Sequence, residues 1–187
     1  SASATFGERE PLFLLVLKGA LWLFGDAETP VRFVSLFASL GTIILSERIG
    51  RRLFGPALGL LGALLVAVSL PFVRESVRGM RLEVELVLLL AFIEVAFLAS
   101  FRSVWLRAVL AGLVGGALAL LRATYMVGLA LPMAMAFFPR KPRGWIAAGL
   151  AVALMAGLYF PYRWNGYRRT GDWMWDKNGR WWANLEF

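Results

Sequence analysis

Apolar segments about as long as a membrane is thick follow one another along this sequence, and they restrict the folds open to it. The stretch from Val31 to Glu94 contains three such segments, joined by two charged corners at 46–55 and 74–85. Crossing a hydrocarbon core of about 30 Å takes roughly 20 apolar residues in a helix. Of the 187 residues, 59% are hydrophobic and the mean hydropathy is +0.67, whereas soluble domains are roughly 45–50% apolar. We therefore expect an all-α, polytopic membrane protein.

The pattern predicts about six transmembrane helices. A short helix over 11–24 precedes them. At about 21 Å it is short for a crossing, so we expect it to lie in the interface or to be partly re-entrant, with a short, tilted span as the alternative. The expected organisation is the end of an outer loop with this helix at 1–30, a transmembrane domain at 31–160 and an extracytoplasmic Trp-rich segment at 161–187. The predicted spans cover, approximately, 31–48, 56–73, 84–101, 104–121, 123–138 and 145–160.

Basic loops predict the orientation. If successive spans cross the membrane in opposite directions, three basic loops fall on the same side. The positive-inside rule predicts that this side is cytoplasmic. The mixed corner at 74–85, Arg122 and the tail then face the periplasm or exterior, as in a multi-pass protein of a bacterial inner membrane. The formal net charge of +8 lies largely in short loops, so we expect the bilayer as a partner and not nucleic acid. The basic loop residues are Arg48, Arg51, Arg52, Arg102, Arg107, Arg140, Lys141 and Arg143.

Two residue types are missing from the sequence, and their absence excludes several chemistries. Without cysteine there is no disulfide, thiolate zinc site or cysteine nucleophile. Without histidine, a Ser-His-Asp arrangement is impossible. Acid–base chemistry in this chain must use Asp, Glu, Lys or Tyr.

Carboxylates at the third predicted span are candidate site residues. At about 100° per residue, Glu83 and Glu94 share a helix face and Glu85 points away from both. Glu83 and Glu85 form a polar outer corner, where Glu83 either binds a metal or substrate hydroxyl or is a solvated carboxylate favoured by the helix dipole. Glu94 falls well inside the bilayer, where an ionisable group usually has a partner or a function. We expect it to form an intramembrane ion pair with Arg107.

Arginines on the predicted outer side suggest an anion site. Guanidinium groups bind phosphate oxygens bidentately, so the phosphate or pyrophosphate of a lipid carrier would fit. Headgroup snorkelling with local salt bridges is the alternative. The tail has five tryptophans, which serve either as interfacial anchors or as stacking surfaces for sugars. The outer arginines are Arg74, Arg78, Arg81 and Arg122, of which the last three are the candidate phosphate ligands.

Several motifs, taken in order, resemble a known superfamily. They read GEREPLF, LFGDAETPVRFVSLFASLGTIIL, RIGRRLFGPALGLLGALLVAVSLPFV, RGMRLEVELVLLL and GALALLRATYM, between Glu8 and about Phe138. This order is similar to that of the GT-C glycosyltransferases, in the branch of the dolichyl-phosphate-mannose protein mannosyltransferases and lipid A aminoarabinose transferases. The tail, GDWMWD…RWWANLEF, is similar to bacterial relatives. The resemblance implies an inverting enzyme that takes sugar from a polyprenyl-phosphate donor on the outer face.

The resemblance also implies roles for individual residues. Arg122 matches a basic position that faces the lipid phosphate, and Arg81 and Glu83 match the polar outer corner, where Asp is more usual than Glu. The catalytic acid of such enzymes lies in the first outer loop, which would fall before Ser1. The start SASATFGEREP has no methionine, so we expect the chain to be part of a longer protein. A divalent metal is compatible with the superfamily, but the sequence contains no clear ligand cluster.

Two other functions fit the residues. A non-catalytic structural subunit, packed against partner membrane subunits in a larger complex, would explain three features: the missing catalytic carboxylate, the start without methionine and the abrupt end at Phe187 after a Trp-rich stretch. A small-molecule transporter would need polar residues or broken helices at mid-membrane, for which only Glu94 and Pro132 are candidates.

Overall fold

The computed structural model describes residues 28–78, 81–98, 100–101, 103–137 and 141–170, together with Leu12, Lys18, Gly19 and Trp22. All regular secondary structure in this part of the chain is helical, which confirms the all-α prediction. The helices are α1 Glu28–Phe54, α2 Pro56–Val68, α3 Leu70–Arg78, α4 Arg81–Ile93, which continues as a π-helix at Glu94–Leu98, α5 Val104–Leu121, α6 Thr124–Gly128, α7 Ala130–Phe137 and α8 Lys141–Thr170.

Three described helices are long and apolar enough to cross a membrane. They cover Arg32–Phe54, Val104–Leu121 and Arg143–Arg168, and two shorter apolar helical stretches cover Pro56–Val68 and Thr124–Phe137. The expected third span is a continuous α-then-π segment, but it carries Arg81 and three glutamates within its length. Because of these charged residues, this segment is less apolar than the three candidate membrane-crossing helices. The chain is thus an all-α membrane protein.

The first charged corner is part of a helix and not a loop. Helix α1 continues to Phe54, six residues beyond the predicted end, and Arg51 forms an i,i+4 ion pair with Glu47 within it. Such pairs, and basic side chains near a helix C-terminus, favour continuation of the helix. The turn comes only at Gly55, whose φ of 92° is unfavourable for other residues.

Proline residues break two of the predicted spans. The second is divided at Ser69, two residues before Pro71, and the fifth at Leu129, three residues before Pro132. Proline has no N–H to donate and its ring clashes with the carbonyl four residues earlier. The chain therefore starts a new helix in each case, with the proline in the first turn of α3 or α7.

Close contact of α5 with α8 forms the centre of the bundle. A Cβ added at Gly112 would lie 2.7 Å from the Ala151 carbonyl oxygen, and one added at Gly116 would lie 2.6 Å from Leu158 Cδ1. Small residues of this kind allow helix backbones to approach closely in membranes. The buried core around this contact includes Phe92, Leu118, Met133, Phe137 and Met155.

Helix α8 extends beyond its predicted end and passes through Pro161 to Thr170. The first ten residues of the predicted Trp-rich segment are thus helical, with the Trp164 ring stacked on Phe160 at a centroid distance of 6.1 Å. Residues 171–187 lie outside the described part. The predicted N-terminal helix over 11–24 also lies outside it, apart from four isolated helical positions.

Candidate functional site

A carboxylate, a guanidinium and a phenol meet at one end of the bundle. Tyr125 Oη donates a hydrogen bond to Glu85 Oε1 at 2.5 Å, and Arg122 Nη1 lies 3.7 Å from the same oxygen. We call these three residues the Glu85 cluster. Two of its members, Glu85 and Arg122, were predicted from the sequence, and the structure brings them together across 36 intervening residues.

The corner between α5 and α6 positions the two partners of Glu85. Arg122 is the C-cap of α5, with extended φ and ψ of −152° and 119°, and its N–H bonds to the Leu118 carbonyl at 2.9 Å. Its own carbonyl accepts the Tyr125 N–H at 3.0 Å, which starts the next helix. Because Arg122 and Tyr125 are three residues apart around this bonded corner, both side chains can reach α4. The positive charge of Arg122 at this position also interacts favourably with the negative, C-terminal end of the α5 dipole.

Burial differs between the two charges of the cluster. The Glu85 side chain is 9% exposed and that of Arg122 is 50% exposed. A buried carboxylate needs partners to offset its desolvation, which the phenol and guanidinium supply. The guanidinium has five N–H donors in a planar fork, and half of the side chain remains accessible. Chemically, the cluster can therefore offer an anchored guanidinium to an anion.

Apolar packing supports the cluster from inside the bundle. Val84 and Leu121, the neighbours of Glu85 and Arg122, are buried with Ala38 of α1, and Leu12 from the N-terminal segment packs against them. The neighbouring carboxylate Glu83 is fully buried, at 0% exposure, on a face of α4 about 200° around from Glu85. The solvated alternative for Glu83 is therefore excluded.

The other predicted phosphate ligands are less completely described. Arg78 is the last residue of α3 and Arg81 the first of α4, so both flank the corner that precedes Glu83. Their side chains lie outside the described part of the structure. Whether they join Arg122 remains a prediction.

Glu94 has different partners from the one expected. Its Oε1 lies 3.3 Å from Arg48 Nη2 and 3.1 Å from Arg52 Nη1, both on α1. We call Glu94, Arg48 and Arg52 the Glu94 cluster. The expected ion pair with Arg107 is thus replaced, because α1 packs against the α4–π segment and brings two arginines one turn apart to the carboxylate.

Arg107 instead binds backbone carbonyls. Its Nη2 donates to the Ala96 oxygen within the π-helix and to the Ala136 oxygen at 3.3 Å, and its guanidinium carbon lies 5.0 Å from the Phe137 ring centre. Carbonyls in the last turn of a helix lack intrahelical partners, so a buried guanidinium satisfies them. Arg107 therefore joins the ends of two helices near the Glu94 cluster, at the opposite end of α5 from Arg122.

Sequence reasoning missed Tyr125, Arg48 and Arg52 as contact residues. Tyr125 lies in the quoted GALALLRATYM motif, and its spacing of three from Arg122 could have identified a polar pair. Arg48 and Arg52 were read only as topology signals, although i,i+4 spacing places both on one face. Among the residues that the structure describes, no group of three or more acidic side chains is placed to hold a metal ion.

Comparison with known families decides the relationship. The family model of the dolichyl-phosphate-mannose-protein mannosyltransferases matches residues 8–160. The chain belongs to this family. The resemblance seen in the sequence is thereby confirmed, and the mannosyltransferase-family match supports a GT-C glycosyltransferase. Both clusters lie within the matched range, which ends at Phe160. No curated protein and no solved structure matched the chain.

Proposed function

We propose that this chain binds the phosphate of a polyprenyl-phosphate sugar donor at Arg122 and serves as the donor-binding core of an inverting glycosyltransferase. The observation that carries the proposal is the Glu85 cluster: a half-exposed guanidinium held beside a buried carboxylate at one end of a GT-C-type bundle. The lipid tail of the donor would lie against the apolar exterior of the helices, with its phosphate at Arg122.

Charge development during transfer explains why a guanidinium belongs there. In an inverting transfer, the acceptor, losing its proton to a base, forms a bond to the anomeric carbon on the face opposite the phosphate. The bond from that carbon to the phosphate oxygen breaks, and its electron pair leaves with the lipid phosphate. A preorganised cation aimed at that oxygen stabilises the developing charge more than the ground state. Arg122 would perform this role, while Glu85, itself held by the Tyr125 hydroxyl, limits the motion of the guanidinium.

Charge asymmetry supports an outer-face site. The end of the bundle with the Glu94 cluster also carries Arg51, Arg107 and Arg143, an excess of positive charge typical of cytoplasmic ends. Because α5 runs from Arg107 to Arg122, the Glu85 cluster lies at the opposite end. In a bacterial inner membrane this end would face the periplasm.

Native mass spectrometry with a polyprenyl phosphate tests the proposal. We expect wild-type protein to retain one polyprenyl phosphate and Arg122→Ala to bind it at least tenfold more weakly, the scale of a lost charge-assisted hydrogen bond. Arg143→Ala is a matched control, because it removes the same charge from an exposed side chain at the other end. Equal affinity of Arg122→Ala and wild type would remove Arg122 from the site. Absence of binding by wild type would favour a structural subunit.

A further inference from the structure

We propose that Arg48 and Arg52 form a second phosphate site, which binds the headgroup of an anionic phospholipid at the end of the bundle opposite Arg122. This proposal is independent of the donor site, because it uses other residues at another depth. Helix α1 and the π-helix that follows α4 build the site.

One carboxylate oxygen holds both guanidiniums together. Two arginines at i,i+4 repel one another on an isolated helix, yet both lie within 3.3 Å of Glu94 Oε1. Glu94 is itself 5% exposed, so the buried carboxylate fixes the inner edge of the pair. The two cations and one anion leave the Glu94 cluster with a net positive charge.

The outer edge of the pair is accessible to a ligand. Each ion pair involves one terminal nitrogen of its arginine, whereas a guanidinium has five N–H donors. The side chains of Arg48 and Arg52 are 53% and 36% exposed. A phosphate has enough oxygens to accept hydrogen bonds from both forks at once. The cluster is thus organised to bind a phosphate before the ligand arrives, which reduces the ordering cost of binding.

Apolar neighbours favour a lipid over a free phosphate ion. Leu53 and Phe54 follow directly and are 54% and 68% exposed. They end the candidate span Arg32–Phe54, so the cluster lies near the end of a membrane-crossing helix, where headgroups are found, and not well inside the bilayer as we expected for Glu94 from the sequence. Basic clusters at this position attract anionic lipids. Acyl chains beside Phe54 and a phosphate between the arginines would use both features.

A matched arginine on the same helix makes the proposal testable. Arg51 is more exposed than either, at 61%, but pairs with Glu47 and not with Glu94. We would titrate purified full-length protein in detergent with phosphatidylglycerol and with phosphatidylcholine, and measure binding by native mass spectrometry. We expect preference for phosphatidylglycerol, with affinity reduced on the order of tenfold by Arg48→Ala or Arg52→Ala. Arg51→Ala should change it less than twofold.

Three results would overturn the proposal. Equal losses for Arg48→Ala, Arg51→Ala and Arg52→Ala would mean diffuse charge and no site. Equal binding of the two lipids would exclude phosphate recognition by these arginines. If millimolar inorganic phosphate displaced phosphatidylglycerol, and the affinity did not depend on the acyl chains, the ligand of this site would be a free phosphate ion and not a lipid.

A charge-preserving variant separates binding from folding. The double variant Arg48→Lys/Arg52→Lys keeps both charges near Glu94 but loses the planar forks that bind phosphate bidentately. We expect its thermal unfolding to resemble that of wild type while phosphatidylglycerol binds several-fold more weakly. Unchanged lipid affinity in this folded variant would contradict the proposed geometry.

Discussion

Tyr125 Oη donates to Glu85 Oε1 at 2.5 Å, and this hydrogen bond joins the corner after α5 to the start of α4. Because Arg122 Nη1 lies 3.7 Å from the same oxygen, the hydrogen bond of the phenol and the ion pair of the guanidinium involve one buried carboxylate oxygen. The donor-binding proposal depends on this arrangement, since a guanidinium with one side fixed by Glu85 keeps its remaining donors in a limited set of directions.

The first prediction concerns coupling between Tyr125 and Arg122. Tyr125→Phe removes the hydroxyl and keeps the ring, so we expect polyprenyl-phosphate affinity to fall about three- to tenfold, the scale of one hydrogen bond. In the Arg122→Ala background the same change should have almost no effect, because residues that act together are not additive. Kd values from a double-mutant cycle measure this, with Tyr167→Phe on α8 as control. Additive losses would mean that Tyr125 does not act through Arg122.

Arg107 should matter for stability and not for donor binding. Arg107→Ala leaves the carbonyls of Ala96 and Ala136 without this donor, at a cost of about 1–3 kcal/mol for each buried group. Thermal unfolding in detergent should show a clear decrease in Tm, whereas the exposed Arg143→Ala should unfold like wild type. A Tm unchanged by Arg107→Ala would show that these contacts contribute little.

Alanine substitutions at two glycines test the close packing of α5 against α8, because one glycine lies in the contact and the other on an exposed helix surface. A Cβ at Gly112 would lie 2.7 Å from the Ala151 carbonyl oxygen, whereas one at Gly149 would meet nothing within 4 Å. We expect Gly112→Ala to lower the free energy of unfolding by about 1–3 kcal/mol, as in overpacked cores. Gly149→Ala should be neutral or raise it by about 0.5–1 kcal/mol through helix propensity. Equal effects of the two substitutions on the free energy of unfolding would contradict the close packing of α5 against α8.

Orientation can be measured because the chain has no cysteine. Thr124 is exposed beside the Glu85 cluster, and Arg143 is exposed at the other end of the bundle. We expect Thr124→Cys to react with an impermeant thiol reagent in intact cells, and Arg143→Cys to react only after lysis. The reverse pattern would place the Glu85 cluster on the cytoplasmic side.

Hydropathy was sufficient to predict the helical class and the approximate positions of the helices along the chain. It did not predict the breaks at Ser69 and Leu129, since a proline in an apolar run can either continue a membrane helix or begin a new one. The extension of α1 to Phe54 was missed for a related reason. A charged corner looks like a loop, although its Glu47–Arg51 pair stabilises a helix.

The contacts of the site depend on which helices are neighbours, and a single sequence does not encode this in any local pattern. Arg107 is 13 residues from Glu94 along the chain and Arg48 is 46 residues away, yet Arg48 is the partner. The π-helix at Glu94–Leu98 left no sequence signal that we recognised. Glu85 and Arg122 were chosen as candidates because of their charge and their predicted side of the membrane, whereas their joint contact with Tyr125 could be seen only in the fold.

Photocrosslinking with a polyprenyl phosphate that carries a photoreactive group next to its phosphate tests the central claim most directly. After irradiation and digestion, we expect the label on the peptide that contains residues 122–128, and we expect Arg122→Ala to remove it. Labelling confined to α1 near Arg48 and Arg52 would contradict the account, because the lipid phosphate would then bind at the other end of the bundle.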